Sequence, residues 1–171
     1  MSCAFFAIFF VFFDLMNHKI PISVLVVIHS PDLEVLLIER CDKPGFWQSV
    51  TGSLDSLDEP WSAAAARELF EETGIEVGKG GAGQLNDWRL SNNYEIYPVW
   101  RHRYAPGVTH NVEHVFSIDV PRTSVITLSP REHLRHVWLP YLDAADRCFS
   151  SSNAEAILQL PMHAGPDQKR A

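Results

Sequence analysis

The chain is poor in cysteine, short of basic residues and without internal repeats, and each deficit narrows what it can be. Its three cysteines, Cys3, Cys41 and Cys148, make no C-x-x-C pair and no even set. That excludes a disulfide scaffold and a paired-cysteine zinc site, and it points to a reducing, cytoplasmic setting. Lys and Arg total 14 against 21 Asp and Glu, giving a net charge of −7. A general nucleic-acid binder or a polybasic membrane binder needs the opposite balance, so neither nucleic acid nor membrane is an expected partner. An acidic chain still binds polyphosphate where a metal and a few local bases neutralise it.

Long hydrophobic runs are scarce as well. Between Cys3 and Phe13 lies one apolar run, holding six of the ten phenylalanines. It falls short of the roughly 20 residues of a membrane span. It also lacks the basic flank and small-x-small site of a secretory signal. Met16 stands just ahead of the first convincing strand. Translation is therefore expected to start there, with residues 1–15 a start-site artefact or disordered extension; a short signal or anchor is the alternative. What remains is enough for one domain, 16–162, with a loose tail over 163–171. Its composition carries no sign of oligomeric state.

Ile20 to Ile28 is β-branched and apolar and predicts a buried strand, followed by a turn at Pro31-Asp32 and a second strand over Glu34 to Glu39. Further strands are expected at Phe46 to Val50, at Trp88 to Asn93 and Tyr94 to Tyr104 with a break at Tyr97-Pro98, at Asn111 to Val120 and at Leu134 to Leu139. Helices are expected over Trp61 to Thr73, Ala144 to Cys148 and Asn153 to Leu160, with a flexible glycine linker from Gly78 to Gly83. The alternation predicts an α/β (α+β) fold, a mixed sheet between helices.

The chemistry concentrates in Arg67-Glu68-Leu69-Phe70-Glu71-Glu72-Thr73-Gly74-Ile75. On a helix Glu68, Glu71 and Glu72 fall within a roughly 100° arc. Partly buried carboxylates about 6 Å apart repel by about 3 kcal/mol at an effective dielectric of 20. Folding does not ask for that arrangement, but a hard divalent cation with oxygen ligands does. Gly74 reads as a helix stop, Asp58-Glu59-Pro60 as a helix start, and Gly52 as a turn after a short strand. A solvated acidic helix face is the plain alternative, and this ordered flank of signals argues against it.

The unit resembles the Nudix box: glycine, five residues, Glu, seven residues, then Arg-Glu-apolar-x-Glu-Glu-x-Gly-apolar. Glu59 through Ile75 matches without a gap, whereas six residues rather than five separate Gly52 from Glu59. The resemblance implies a Nudix α/β/α sandwich with a mixed central sheet. It also implies a hydrolase using Mg²⁺, with Mn²⁺ as a substitute, and metal ligands at Glu68, Glu71, Glu72 and the Gly52 carbonyl. Arg67 would orient Glu71, and Glu59 would pair with Arg67.

Two further segments, Phe46 to Ser53 and Arg101 to Thr109, are similar to the Nudix subgroup that acts on dihydroneopterin triphosphate. Such enzymes release pyrophosphate in folate synthesis and also cleave dATP. A pterin or nucleoside triphosphate is thus the implied small-molecule partner. If Trp100 to Tyr104 is a strand, Arg101 and Arg103 share one face while Trp100, His102 and Tyr104 share the other. Arginines suit phosphate oxygens and aromatics suit a planar ring. Arg101, Arg103 and Tyr104 are therefore expected substrate contacts, with Phe46 and Trp47 lining the base pocket. Glu113 stands where the subgroup carries Asn-x-Glu, and is expected as a further metal ligand or the base for water, the latter role shared with Glu68. Two alternatives stay open: a housecleaning pyrophosphatase for damaged (d)NTPs, with the same catalytic residues, and a non-catalytic Nudix-fold sensing module. The module is disfavoured because all four glutamates of the box are present.

Overall fold

Strand β1 (Ile22–His29) is apolar on both faces, and the molecule is layered around it. Val24, Val26 and Ile28 point to one side, while Leu25 and Val27 point to the other. The computed structural model describes residues 18–164. The expected start at Met16, the segment 1–15 and the tail after Ala164 lie outside the described residues.

β1 runs parallel to β6 (His110–Asp119), from Ile22 opposite Val112 to His29 opposite Asp119. Its other edge is shared. β2 (Glu34–Arg40) pairs with it antiparallel at His29, and β4 (Val50–Ser53) pairs antiparallel from Ser23 to Val26. β3 (Trp47–Gln48) and β7 (His133–Pro140) join β2, and β5 (Asn86–Glu95) joins β6. Among the described residues these make one mixed sheet of seven strands.

Helix α1 (Trp61–Thr73) covers one face through Ala64, Ala65 and Leu69, against Val24, Val26 and Phe116. Helices α2 (Tyr141–Arg147) and α3 (Ser151–His163) cover the other, where Ala144, Ala156, Ile157 and Leu160 meet Leu25, Val27 and Leu37. Each leucine-sized side chain so buried contributes about 1.5–3 kcal/mol. The result is the expected α/β/α sandwich. None of the described helices is long and apolar enough to cross a membrane.

α1 forms where the sequence places it. Pro60, at φ −62°, leads into the first turn. An alanine run with high helix propensity follows. Gly74 ends the helix at φ 72°, its N–H donating to the Phe70 carbonyl at 2.8 Å. That left-handed conformation costs a side-chain-bearing residue strain that glycine avoids.

Three expectations need correction. The strand expected from Tyr94 to Tyr104 ends at Glu95 and does not resume after the expected break at Tyr97-Pro98, where Pro98–Arg103 forms a 3₁₀ segment instead. Pro98 has fixed φ and no N–H to offer a ladder, and Arg101 Nε takes the Ile96 carbonyl at 3.0 Å. The Gly78 to Gly83 stretch is a closed turn: Gly78 N–H donates to the Gly83 carbonyl and Gly83 N–H to that of Asp119, at 2.9 and 2.8 Å. Finally, α3 runs to His163, which stacks on Trp88 at 4.0 Å, so the expected tail begins inside an ordered helix.

Candidate active site

Arg67 is the hub from which the site is built. Its guanidinium donates to Glu59 through Nε and Nη2, at 3.0 and 3.2 Å. Nη1 reaches Glu68 at 2.8 Å and Nη2 the Ser53 carbonyl at 3.0 Å. Glu71 is more distant at 3.4 Å, and its side chain is largely exposed. Arg67 therefore orients Glu68 more directly than Glu71. Glu59 also accepts from the Asp55 N–H at 2.7 Å, which ties down the loop that carries the extra residue. Arg67 holds Glu59 below the usual carboxylate range.

That loop leaves Gly52 directly beneath Glu68. A Cβ on Gly52 would come within 1.9 Å of the Glu68 carboxyl carbon, so only glycine fits against the carboxylate there. Burial, opposed by Arg67 and reinforced by repulsion from Glu72 and Glu71, pushes Glu68 up to about 7. Burial also raises Glu72, with His133 and the Thr51 backbone N–H pulling the other way. Glu72 Oε1 lies 3.4 Å from His133 Nε2, while Glu72 Oε2 and both His133 ring nitrogens are buried without a hydrogen bond. One ligand atom from each of Glu72, Glu132 and His133 falls within 4.8 Å of the others. Oxygen-rich donors held close, with an orphaned carboxylate oxygen among them, fit a hard divalent cation.

β4 separates this cluster from a cavity of about 380 Å³. Thr51, Gly52 and Ser53 line the cavity, yet Gly52 also underlies Glu68 and the Ser53 carbonyl is held by Arg67. Aromatic walls come from Tyr97, Trp100 and Phe149, with ring centroids 5.5 to 5.9 Å apart. Lys19, Arg40 and Arg103 bring positive charge to the same cavity.

Several expected contacts are distributed differently. With three residues per turn, the 3₁₀ segment aligns Tyr97, Trp100 and Arg103 on the cavity side. Strand alternation would have split Trp100 and Tyr104 from Arg103, but all three line the cavity. Arg101 turns away to Glu95 and the Ile96 carbonyl. Trp47 is buried in the core under α2 and α3, with Arg135 and Arg147 over its ring. Phe46 stacks on Phe149 at 4.6 Å and so backs the aromatic wall.

Glu113 lies on the α3 side of the sheet, not beside the box carboxylates. It pairs in register with Ser23, whose face is that of Leu25. Its neighbour His114 points the opposite way, packing on Trp61 of α1 at 4.4 Å. Glu113 accepts from Ser152 at 3.1 Å, and burial pushes it up to about 6. Glu132 and His133 escaped the sequence reading altogether. A Glu-His pair at a strand start is a weak signal without knowledge of which helix it meets.

Comparisons with known proteins identify the family and the fold. The NUDIX domain profile matches residues 19–160. The chain is 41% identical to the dihydroneopterin triphosphate diphosphatase of Haemophilus influenzae, over 85% of this chain and 90% of that one. It is 43% identical to the Escherichia coli protein of the same name, over 86% and 96%. The solved structure of the E. coli dihydroneopterin triphosphate pyrophosphohydrolase superposes with a TM-score of 0.78 at 42% identity, covering 85% of this chain and 97% of that one.

Proposed function

The chain belongs to the Nudix hydrolase family, and from that premise we propose that it is a Mg²⁺-dependent pyrophosphohydrolase converting dihydroneopterin triphosphate to dihydroneopterin monophosphate and pyrophosphate. The observation that carries the reading is the continuity of cavity and carboxylates across β4. An aromatic-walled slot opens on one side of Gly52, and Glu68 rests on the other. A planar ring fits among Tyr97, Trp100 and Phe149, and a triphosphate leaving it passes Gly52 and Ser53 toward Glu68 and Glu72. Lys19, Arg40 and Arg103 offset its charge on the way.

Glu68, Glu72 and Glu132 are the residues that would hold the cation, with Gly52 supplying a carbonyl. Mg²⁺ is preferred because the donors are hard oxygens, and Mn²⁺ would substitute. When bound, the cation draws charge from the phosphate oxygens in the transition state. Arg67 fixes Glu68 against Gly52. Glu68 takes the proton of a water that attacks the phosphorus bonded to the ester oxygen, and the bond to the departing pyrophosphate breaks. Glu71, exposed at the helix surface, is an outer ligand or a counter-charge to Arg67. A cytoplasmic location fits the two free cysteines among the described residues, Cys41 and Cys148.

The test is pyrophosphate release from dihydroneopterin triphosphate with Mg²⁺. Wild type should release one equivalent, while Glu68→Gln and Glu72→Gln should each fall by about 10²–10⁴-fold. Near-full activity in both variants would refute the assignment.

A further inference from the structure

Glu113 is the one buried acid of the cavity that the hydrolysis leaves unused. It is 4% exposed, on the cavity wall, and lies on the opposite sheet face from the carboxylates that would hold a metal. A carboxylate has room for about four hydrogen bonds. Ser152 fills one site at 3.1 Å, on Oε2. Near Oε1 stands the Thr51 hydroxyl at 3.4 Å, but its single proton is committed to the Val24 carbonyl at 2.9 Å. Oε1 thus takes only that long contact, with the Tyr94 hydroxyl as a further donor to the carboxylate, which leaves part of its accepting capacity open to the cavity. Two residues away on the same strand face, Asn111 is 1% exposed. Its amide nitrogen donates to Ser23 at 2.7 Å and to Tyr94 at 3.1 Å, and its Oδ1 has no partner. The floor of an aromatic slot therefore presents spare accepting capacity at Glu113 and an unfilled acceptor at Asn111 Oδ1.

We infer that Glu113 selects the substrate's ring, accepting the paired N–H donors of a cyclic amidine edge such as the 2-amino group and N3–H of a pterin. Two parallel N–H donors match a carboxylate's two oxygens, and the low-dielectric floor strengthens the match. A ring with a carbonyl in place of the 2-amino group sets oxygen against oxygen, and an unpaired buried group is what such sites reject. The assignment rests on the pterin triphosphate reading and adds the residue that reads the ring; Ser152 and Asn111 position and complete it.

The experiment measures binding of neopterin and of its lumazine counterpart, which carries a 2-oxo group, by fluorescence titration of the full chain. Steady-state kinetics on dihydroneopterin triphosphate run beside it. Wild type should bind neopterin about 100-fold more tightly than the lumazine. In Glu113→Gln the side-chain oxygen can keep the Ser152 bond and turn its NH₂ toward the ring. That preference should then shrink to within about 3-fold, with the kinetic loss falling on KM. Equal binding of the two ligands by wild type, which does not depend on the variant folding, would overturn the inference. So would a Glu113→Gln protein that keeps the preference. A wild type that releases no pyrophosphate from dihydroneopterin triphosphate would instead overturn the functional reading on which the inference stands.

Discussion

Glu68→Gln should stabilise the metal-free protein at neutral and alkaline pH while abolishing its turnover. Burial and neighbouring acids raise Glu68 from 4.5 to about 7 in the fold. The unfolded chain ionises near the lower value, so between pH 4.5 and 7 the folded state holds a proton that the unfolded state has released. Stability is therefore full below about pH 4.5, falls as pH rises, and the loss is complete above about 7. At about 1.36 kcal/mol per unit, the carboxylate costs the fold at most about 3 kcal/mol at pH 8. Glutamine removes that cost and leaves Arg67 paired with Glu59, whose two contacts are 3.0 and 3.2 Å. For a domain of this size the gain corresponds to about 5–10 °C in Tm. Thermal melts in EDTA at pH 5 and pH 8 measure it. The variant should melt well above wild type at pH 8 and close to it at pH 5. Saturating Mg²⁺ should then narrow the gap by stabilising wild type more. A variant that melts at or below wild type at both pH values would show that Glu68 is not held against its electrostatics.

Two further perturbations address the same site. Gly52→Ala places a Cβ 1.9 Å from the Glu68 carboxyl carbon. Because the obstacle is the far end of a side chain, the fold should survive while kcat drops by about 100-fold, a loss typical of a misplaced catalytic group; an unchanged kcat would refute the close contact. Glu132→Gln should weaken Mg²⁺ or Mn²⁺ binding by about 10-fold or more in a calorimetric titration, since Glu132 shares a 4.8 Å cluster with Glu72 and His133. Unchanged affinity would remove it from the ligand set.

The helix of the site was legible in the sequence because its signals are local. Pro60, the alanine run, the spaced glutamates and Gly74 all lie within one element, and its extent from Trp61 to Thr73 is as expected. The two buried faces of β1 were legible for the same reason, in an apolar run with no alternation. What escaped depends on distant pairing. His133 reaches Glu72 because β7 pairs with β2, His133 opposite Arg40, and because the preceding loop docks on the end of α1. That docking uses the Thr127 N–H to the Thr73 carbonyl at 2.8 Å. Nothing near His133 in sequence announces it. Arg103 and Tyr104 were expected as substrate contacts and line the cavity, but Trp100 was placed on the face opposite Arg103, because a period of two was read where the segment from Pro98 has a period of three. Glu113 was expected beside the metal or the attacking water, but its face follows from the β1–β6 register, which one strand's sequence does not contain.

An aromatic slot and an acid cluster meet across Gly52, an arrangement suited to a ring-bearing triphosphate of a particular kind. Side-by-side kcat/KM values for dihydroneopterin triphosphate and the four common dNTPs, in Mg²⁺, test it most directly. Dihydroneopterin triphosphate should exceed every dNTP by about 10-fold or more, a margin of about 1.4 kcal/mol in transition-state binding. A dNTP that matches or exceeds it would contradict the assignment and mark the enzyme as a nucleotide pyrophosphatase.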